Sequence, residues 1–162
     1  MSRPVASKVI CAIVFVLCAA SAFAQMPNPY GAPINAENAK KAAAAALAEA
    51  RKNNWTMAAA VVDPAGDLVY FEKVDGTQAA SVNIAIDKAR SSARFKRPTK
   101  ALQDVLAAGG VGLRLLALQG AVPVDGGVPL LMDGKIIGAI GLSGGTSDQD
   151  GQCAKAGADT LK

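Results

Sequence analysis

The sequence contains no histidine among its 162 residues. That absence removes the Ser-His-Asp triad, the Cys-His pair, the HExxH zinc site and haem held by a proximal imidazole. Cysteine is scarce, at three residues, and aromatics make up only 4%. Charge is also modest. Lys and Arg number 17 against 13 Asp and Glu, a net +4. Apolar residues reach 51%, which suits a globular chain and not a disordered one. The length suits one domain of ordinary size.

Residues 1–24 read as a secretory signal peptide. Arg3 and Lys8 form a basic start, and Val9–Ala20 is an apolar run shorter than the ~20 residues that span a bilayer. Ala22-Phe23-Ala24 then supplies an A-x-A cleavage pattern. The expected mature chain starts at Gln25 in the periplasm or outside the cell, with no membrane attachment after cleavage. Arg3 and Lys8 carry half of the net charge away, which leaves nucleic-acid binding without an electrostatic footing. Cys11 and Cys18 leave too, so Cys153 has no intrachain partner in an oxidising compartment. It is expected to be a small buried residue. The remaining aromatics, Tyr30, Trp55, Tyr70, Phe71 and Phe95, are poor material for base stacking.

Residues 25–34, with Pro27, Pro29, Gly31 and Pro33, predict an extended arm. Residues 35–162 predict the domain itself. Asn35 is a good cap for a helix over Ala36–Arg51, whose middle is alanine. Met57–Val62 and Leu68–Lys73 flank Asp63-Pro64-Ala65-Gly66-Asp67, which is turn chemistry, and so predict a hairpin. Ser81–Phe95 predicts a helix with Val82, Ile86, Ala89 and Ala93 on its inner face and Ser91 among the outer residues. Pro98 breaks it, and Thr99 is positioned to cap a shorter helix over Lys100–Ala107. Leu113–Leu118 fits helix or strand equally. Asp133-Gly134 between Val128–Met132 and Lys135–Leu142 is a strong hairpin signal. Thr146 and Gln149 fit a capping box for a last helix over Ser147–Leu161. Hairpins without intervening helices argue for an α+β fold with an antiparallel sheet.

Three stretches offer binding chemistry. Gly144 and Gly145, followed by Asp148, lie between a strand and a helix start, where free N–H groups accept an anion. No lysine follows those glycines, so a P-loop is disfavoured. Gly126, Gly127 and Pro129 form a second glycine turn entering a strand. Arg90, Arg94, Lys96, Arg97 and Lys100 form a basic run, interrupted by Phe95, that suits a carboxylate or propionate. The candidate ligand-binding set is therefore Arg94, Phe95, Arg97, Thr99, Gly126, Gly127, Pro129, Gly144, Gly145 and Asp148. It assumes that both glycine turns meet at one end of the sheet. No catalytic or metal-ligating set stands out. The carboxylates Asp63, Asp67, Glu72 and Asp75 read as turn chemistry.

Ala58–Gly66, Ser81 with Ala85 and Lys88-Ala89-Arg90, Phe95–Thr99, Asp125–Leu130 and Gly138–Gly144 occur in an order that resembles the GlcG/HbpS family, which is related to the PduO C-terminal domain. The resemblance implies a profilin-like α-β-α sandwich with a central antiparallel sheet. It implies homo-oligomers, octamers in some members, and haem or a related tetrapyrrole as ligand. Haem-binding members use a His axial ligand. Here only Tyr30, Tyr70, Met26, Met57, Met132 and Cys153 are left to ligate iron. Three functions follow as expectations. The first is an exported oligomeric binder of haem or another anionic small molecule. The second is an enzyme acting on a small organic acid, with Arg97 holding carboxylate and Asp148 as base. The third is an interaction protein assembled through the alanine-rich helix.

Overall fold

A computed structural model describes residues 28–161; the signal-peptide reading, Met26, Cys11 and Cys18 lie outside them. The elements run α1 (Ala36–Lys52), β1 (Ala58–Val62), β2 (Leu68–Lys73), α2 (Ser81–Phe95), α3 (Thr99–Ala107), a 3₁₀ segment (Gly110–Ala117), β3 (Gly127–Met132), β4 (Lys135–Ser143) and α4 (Ser147–Ala158). The four strands form one antiparallel sheet in the order β2-β1-β4-β3. Helices α1 and α4 cover one face and α2 the other. This is the α+β sandwich expected from the element order.

Local chemistry accounts for the ends of the elements. Asn35 accepts the Asn38 N–H at 2.8 Å and caps α1. Thr146 and Gln149 form the reciprocal capping box of α4. Asp133 and Gly134 both have positive φ, 49° and 70°, as a two-residue type I′ hairpin requires. Asp63 Oδ1 accepts the N–H groups of Gly66 and Asp67, each at 2.9 Å, so this carboxylate is spent on its own turn.

The arm adds to the sheet. β1 pairs with β4 only as far as Ala139, and beyond that point residues 29–34 take its place beside β4. Ile136 donates to Pro29 O, while Gly31 and Ile34 donate to the Ile136 and Ile137 carbonyls.

The two cores differ in kind. Leu47, Met57, Leu130, Ile140 and Leu142 fill the face under α1 and α4. The opposite core is almost all alanine, with Ala58 and Ala60 on β1 and Ala85, Ala89 and Ala93 on α2. Small residues bury little area each, but they let backbones approach. A Cβ on Gly141 would stand 2.1 Å from the Ala85 carbonyl oxygen, and one on Gly127 would stand 2.4 Å from the Lys88 carbonyl oxygen. α2 therefore lies with its backbone directly on β3 and β4.

That contact corrects the expected face of α2. The buried side is Ser81, Ala85, Lys88, Ala89 and Ser92, while Val82 and Ile86 are only partly covered. Ser91, expected outside, is also buried and accepts the Val122 N–H at 3.0 Å. Three other expectations change. Thr99 does not cap α3, because Pro98 takes the cap position and Thr99 is its buried first residue. The segment 113–118 is neither strand nor α-helix, because glycine-rich 109–112 turns the chain into a 3₁₀ coil. Helix α4 stops at Ala158, and Leu161 folds back into the core. On α1 the residues Ala42, Ala43, Ala46 and Ala50 pack inside the protomer, and Ala44 stays exposed.

Candidate functional site

The two glycine turns do meet, at the end of the sheet where β3 begins and β4 stops. Leu142 donates its N–H to Gly126 O at 2.9 Å. The space between the turns is filled by a buried ion pair. Lys88 Nζ lies 2.7 Å from Asp150 Oδ2, with Lys88 only 1% exposed. Asp150 Oδ1 accepts the Gly145 N–H at 3.0 Å. A side chain on Gly126 would meet both partners, its Cβ falling 2.8 Å from Lys88 Nζ and from Asp150 Cβ. Thr99 Oγ1 accepts the Gly127 N–H at 2.8 Å and holds that turn from the α3 side. Burial pushes the Asp150 carboxyl above the ordinary carboxylate range, against the pull of Lys88 and the Gly145 amide. Gly126, Gly127, Gly144, Gly145 and Thr99 thus serve as the housing of this pair, not as the walls of an open hollow.

The hollow lies next door. A groove of about 400 Å³ is lined chiefly by Pro98, Asp125, Val128, Pro129, Leu131 and Leu161. Its volume falls within the ~300–1,000 Å³ usual for small-molecule sites. Asp125 connects it to the buried pair. Its Oδ1 accepts the Gly126 N–H at 2.6 Å, and its carboxylate rests on the bare backbone of Gly151, where a Cβ would come within 2.3 Å. Partial burial raises the Asp125 carboxyl, and the Gly126 N–H, Lys88 and Lys100 pull it back. Lys155, paired with Asp159 at 2.6 Å, marks another charged stretch of the rim.

Of the remaining sequence-predicted residues, Pro129 lines this groove. Arg94 lines a different one, beside α2. Arg97 is exposed and donates Nε–H to the Phe95 carbonyl at 3.0 Å, and Phe95 is half-buried. Asp148 is exposed on the first turn of α4 and lines neither groove. The carboxylate that faces the apolar groove is instead Asp125.

The residues do not fit an iron held in the usual way. Cys153 is wholly buried, and burial pushes its thiol up to about 11. Met57 is also wholly buried. The Tyr30 hydroxyl donates to Ala93 O at 2.9 Å, and the Tyr70 hydroxyl to Glu72 Oε2 at 3.0 Å. Met132 lies outside the groove lining. Among the described residues no group of three or more His, Cys, Asp or Glu side chains is placed to hold a metal ion.

A family described as haem degrading protein HbpS-like matches residues 34–159. An uncharacterised 15.0 kDa protein from the dhaT-dhaS intergenic region of Citrobacter freundii is 34% identical over 130 residues, covering 79% of this chain and 92% of that protein. Protein GlcG of Escherichia coli K12 is 37% identical over 100 residues, covering 62% of this chain and 73% of GlcG. The crystal structure of HbpS superposes with a TM-score of 0.74 at 32% identity, covering 82% of this chain and 92% of HbpS.

Proposed function

The chain belongs to the HbpS-like family, and from that premise we propose that it is an exported, oligomeric protein that binds a tetrapyrrole or a similar anionic amphiphile without imidazole ligation. The observation that carries this reading is the groove beside Asp125, walled by Pro98, Val128, Pro129, Leu131 and Leu161. Apolar walls suit a flat, largely apolar ligand, and Lys155 is the rim cation that would meet its carboxylates. Titrating the protein from Gln25 onward with hemin is expected to give a shifted Soret band and saturable binding. Leu131→Glu places a charge on the groove wall and is expected to weaken that binding about tenfold or more. A spectrum that stays that of free hemin sinks the proposal.

Assembly is supported by the surface around α3 and the 3₁₀ segment. Leu116 is 71% and Val111 68% exposed, and Val105, Leu113, Leu118 and Val124 are exposed as well. A cluster of large apolar side chains left in water is the usual mark of an interface. Leu116→Glu is expected to lower the assembly mass in light scattering while the thermal transition of the protomer persists. An unchanged mass contradicts this part of the reading. Export is supported by the Ala22-Phe23-Ala24 pattern after the short apolar run.

A further inference from the structure

We propose that the groove between α2 and residues 119–122 is a second binding site, for a small organic carboxylate, with Arg90 and Arg94 as its clamp. The groove measures about 420 Å³ and is lined by Asp87, Arg90, Arg94, Gln119, Gly120 and Val122. It shares no lining residue with the apolar groove, so the inference does not depend on the tetrapyrrole reading.

The two arginines stand one helical turn apart on the outer face of α2, and both are anchored by the same device. Arg94 Nε donates to Ala65 O at 2.9 Å, and Arg90 Nε donates to Gly66 O at 3.1 Å. These are consecutive carbonyls of the β1–β2 turn, which Asp63 Oδ1 already ties together through Gly66 and Asp67. Gly66 has φ +94°, and a Cβ there would stand 2.7 Å from Arg94 Nε. Only a glycine lets the guanidinium lie on the turn. The opposite wall is tied to α2 as well, through the Val122 N–H on Ser91 Oγ.

Fixing both Nε positions removes much of the rotamer freedom that an arginine otherwise loses on binding. It also holds two like charges at i, i+4 spacing, which is unfavourable without an anion between them. Asp87 Oδ1 lies 3.9 Å from Arg90 NH1 and only partly offsets that charge. Guanidinium terminal nitrogens match the two oxygens of a carboxylate. Asp87, an acceptor at the same rim, selects for a ligand that carries a hydroxyl donor beside its carboxylate and selects against more highly charged anions.

The test uses ¹⁵N-labelled protein from Gln25 onward and sodium L-lactate as probe, at fixed ionic strength. Saturating shifts are expected at the Nε–H of Arg90 and Arg94 and at the amides of Gly120 and Val122. Inorganic phosphate is expected to bind more weakly. Arg94→Gln, at an exposed position, is expected to weaken lactate about tenfold with the other amide resonances in place. Gly66→Ala keeps both arginines and removes the cradle, and it is expected to weaken lactate as well. The proposal is overturned if chloride reproduces the shifts, if phosphate binds as tightly as lactate, or if Arg94→Gln leaves the affinity unchanged.

Discussion

Asp150→Ala is expected to cost the folded state about 3–5 kcal/mol, the range for stranding one member of a buried ion pair. The reason lies in what remains. Lys88 Nζ loses a partner at 2.7 Å while staying buried, with Gly126 and Gly127 packed closely around the site. The Gly145 N–H loses its acceptor at the same time. Domains of this size have about 5–15 kcal/mol of total stability, so the variant should unfold at a much lower urea concentration. The double change Lys88→Met with Asp150→Leu is expected to recover most of the loss, since well-packed apolar pairs often replace buried ion pairs at little cost. A cost below about 1 kcal/mol for Asp150→Ala, the value of a solvated surface pair, contradicts the burial argument.

Gly141→Val is expected to cost about 3 kcal/mol, near the top of the overpacking range. Strand propensity alone predicts the opposite sign, because valine suits a strand and glycine weakens one. Contact geometry decides. A Cβ at this position falls 2.1 Å from the Ala85 carbonyl oxygen and 2.6 Å from the Ala89 nitrogen, both backbone atoms of α2. The helix has to lift, and Lys88 lifts with it. Urea denaturation of the variant checks the sign. A neutral or stabilising outcome means that α2 does not lie against the sheet as described.

The fold was legible wherever local chemistry specifies local structure. The Asn35 cap, the Thr146–Gln149 box and the Asp133-Gly134 hairpin each depend on residues within a few positions of one another, and each stands as expected. The family resemblance carried the sandwich topology, and the HbpS-like match supports it.

The site was less legible, for a physical reason. Hydrophobic periodicity assigns the inner face of a helix to its larger apolar residues, which on α2 are Val82 and Ile86. Here the partner surface is Gly127 and Gly141, and only a stripe of small residues lets the helix approach it. That stripe, Ser81, Ala85, Ala89 and Ser92, has Lys88 in its midst, so the lysine is carried inward. The candidate set includes neither Lys88 nor Asp150 and takes Asp148, two positions away, instead. The pairing spans 62 residues, and nothing local announces it. The available clue was a lysine flanked by small residues at helical spacing on an amphipathic helix. Thr99 departs from expectation for the same reason: its hydroxyl serves Gly127, 28 residues away, instead of the start of its own helix.

On the proposed reading, the groove beside Asp125 holds a macrocycle by its apolar faces and takes nothing from iron ligation. Parallel titrations with hemin and with metal-free protoporphyrin IX separate the ring from the metal. Saturable binding of both is expected, with dissociation constants that agree closely. Tight binding of hemin with no measurable binding of the metal-free ring would place the affinity in an iron ligand and overturn the proposal.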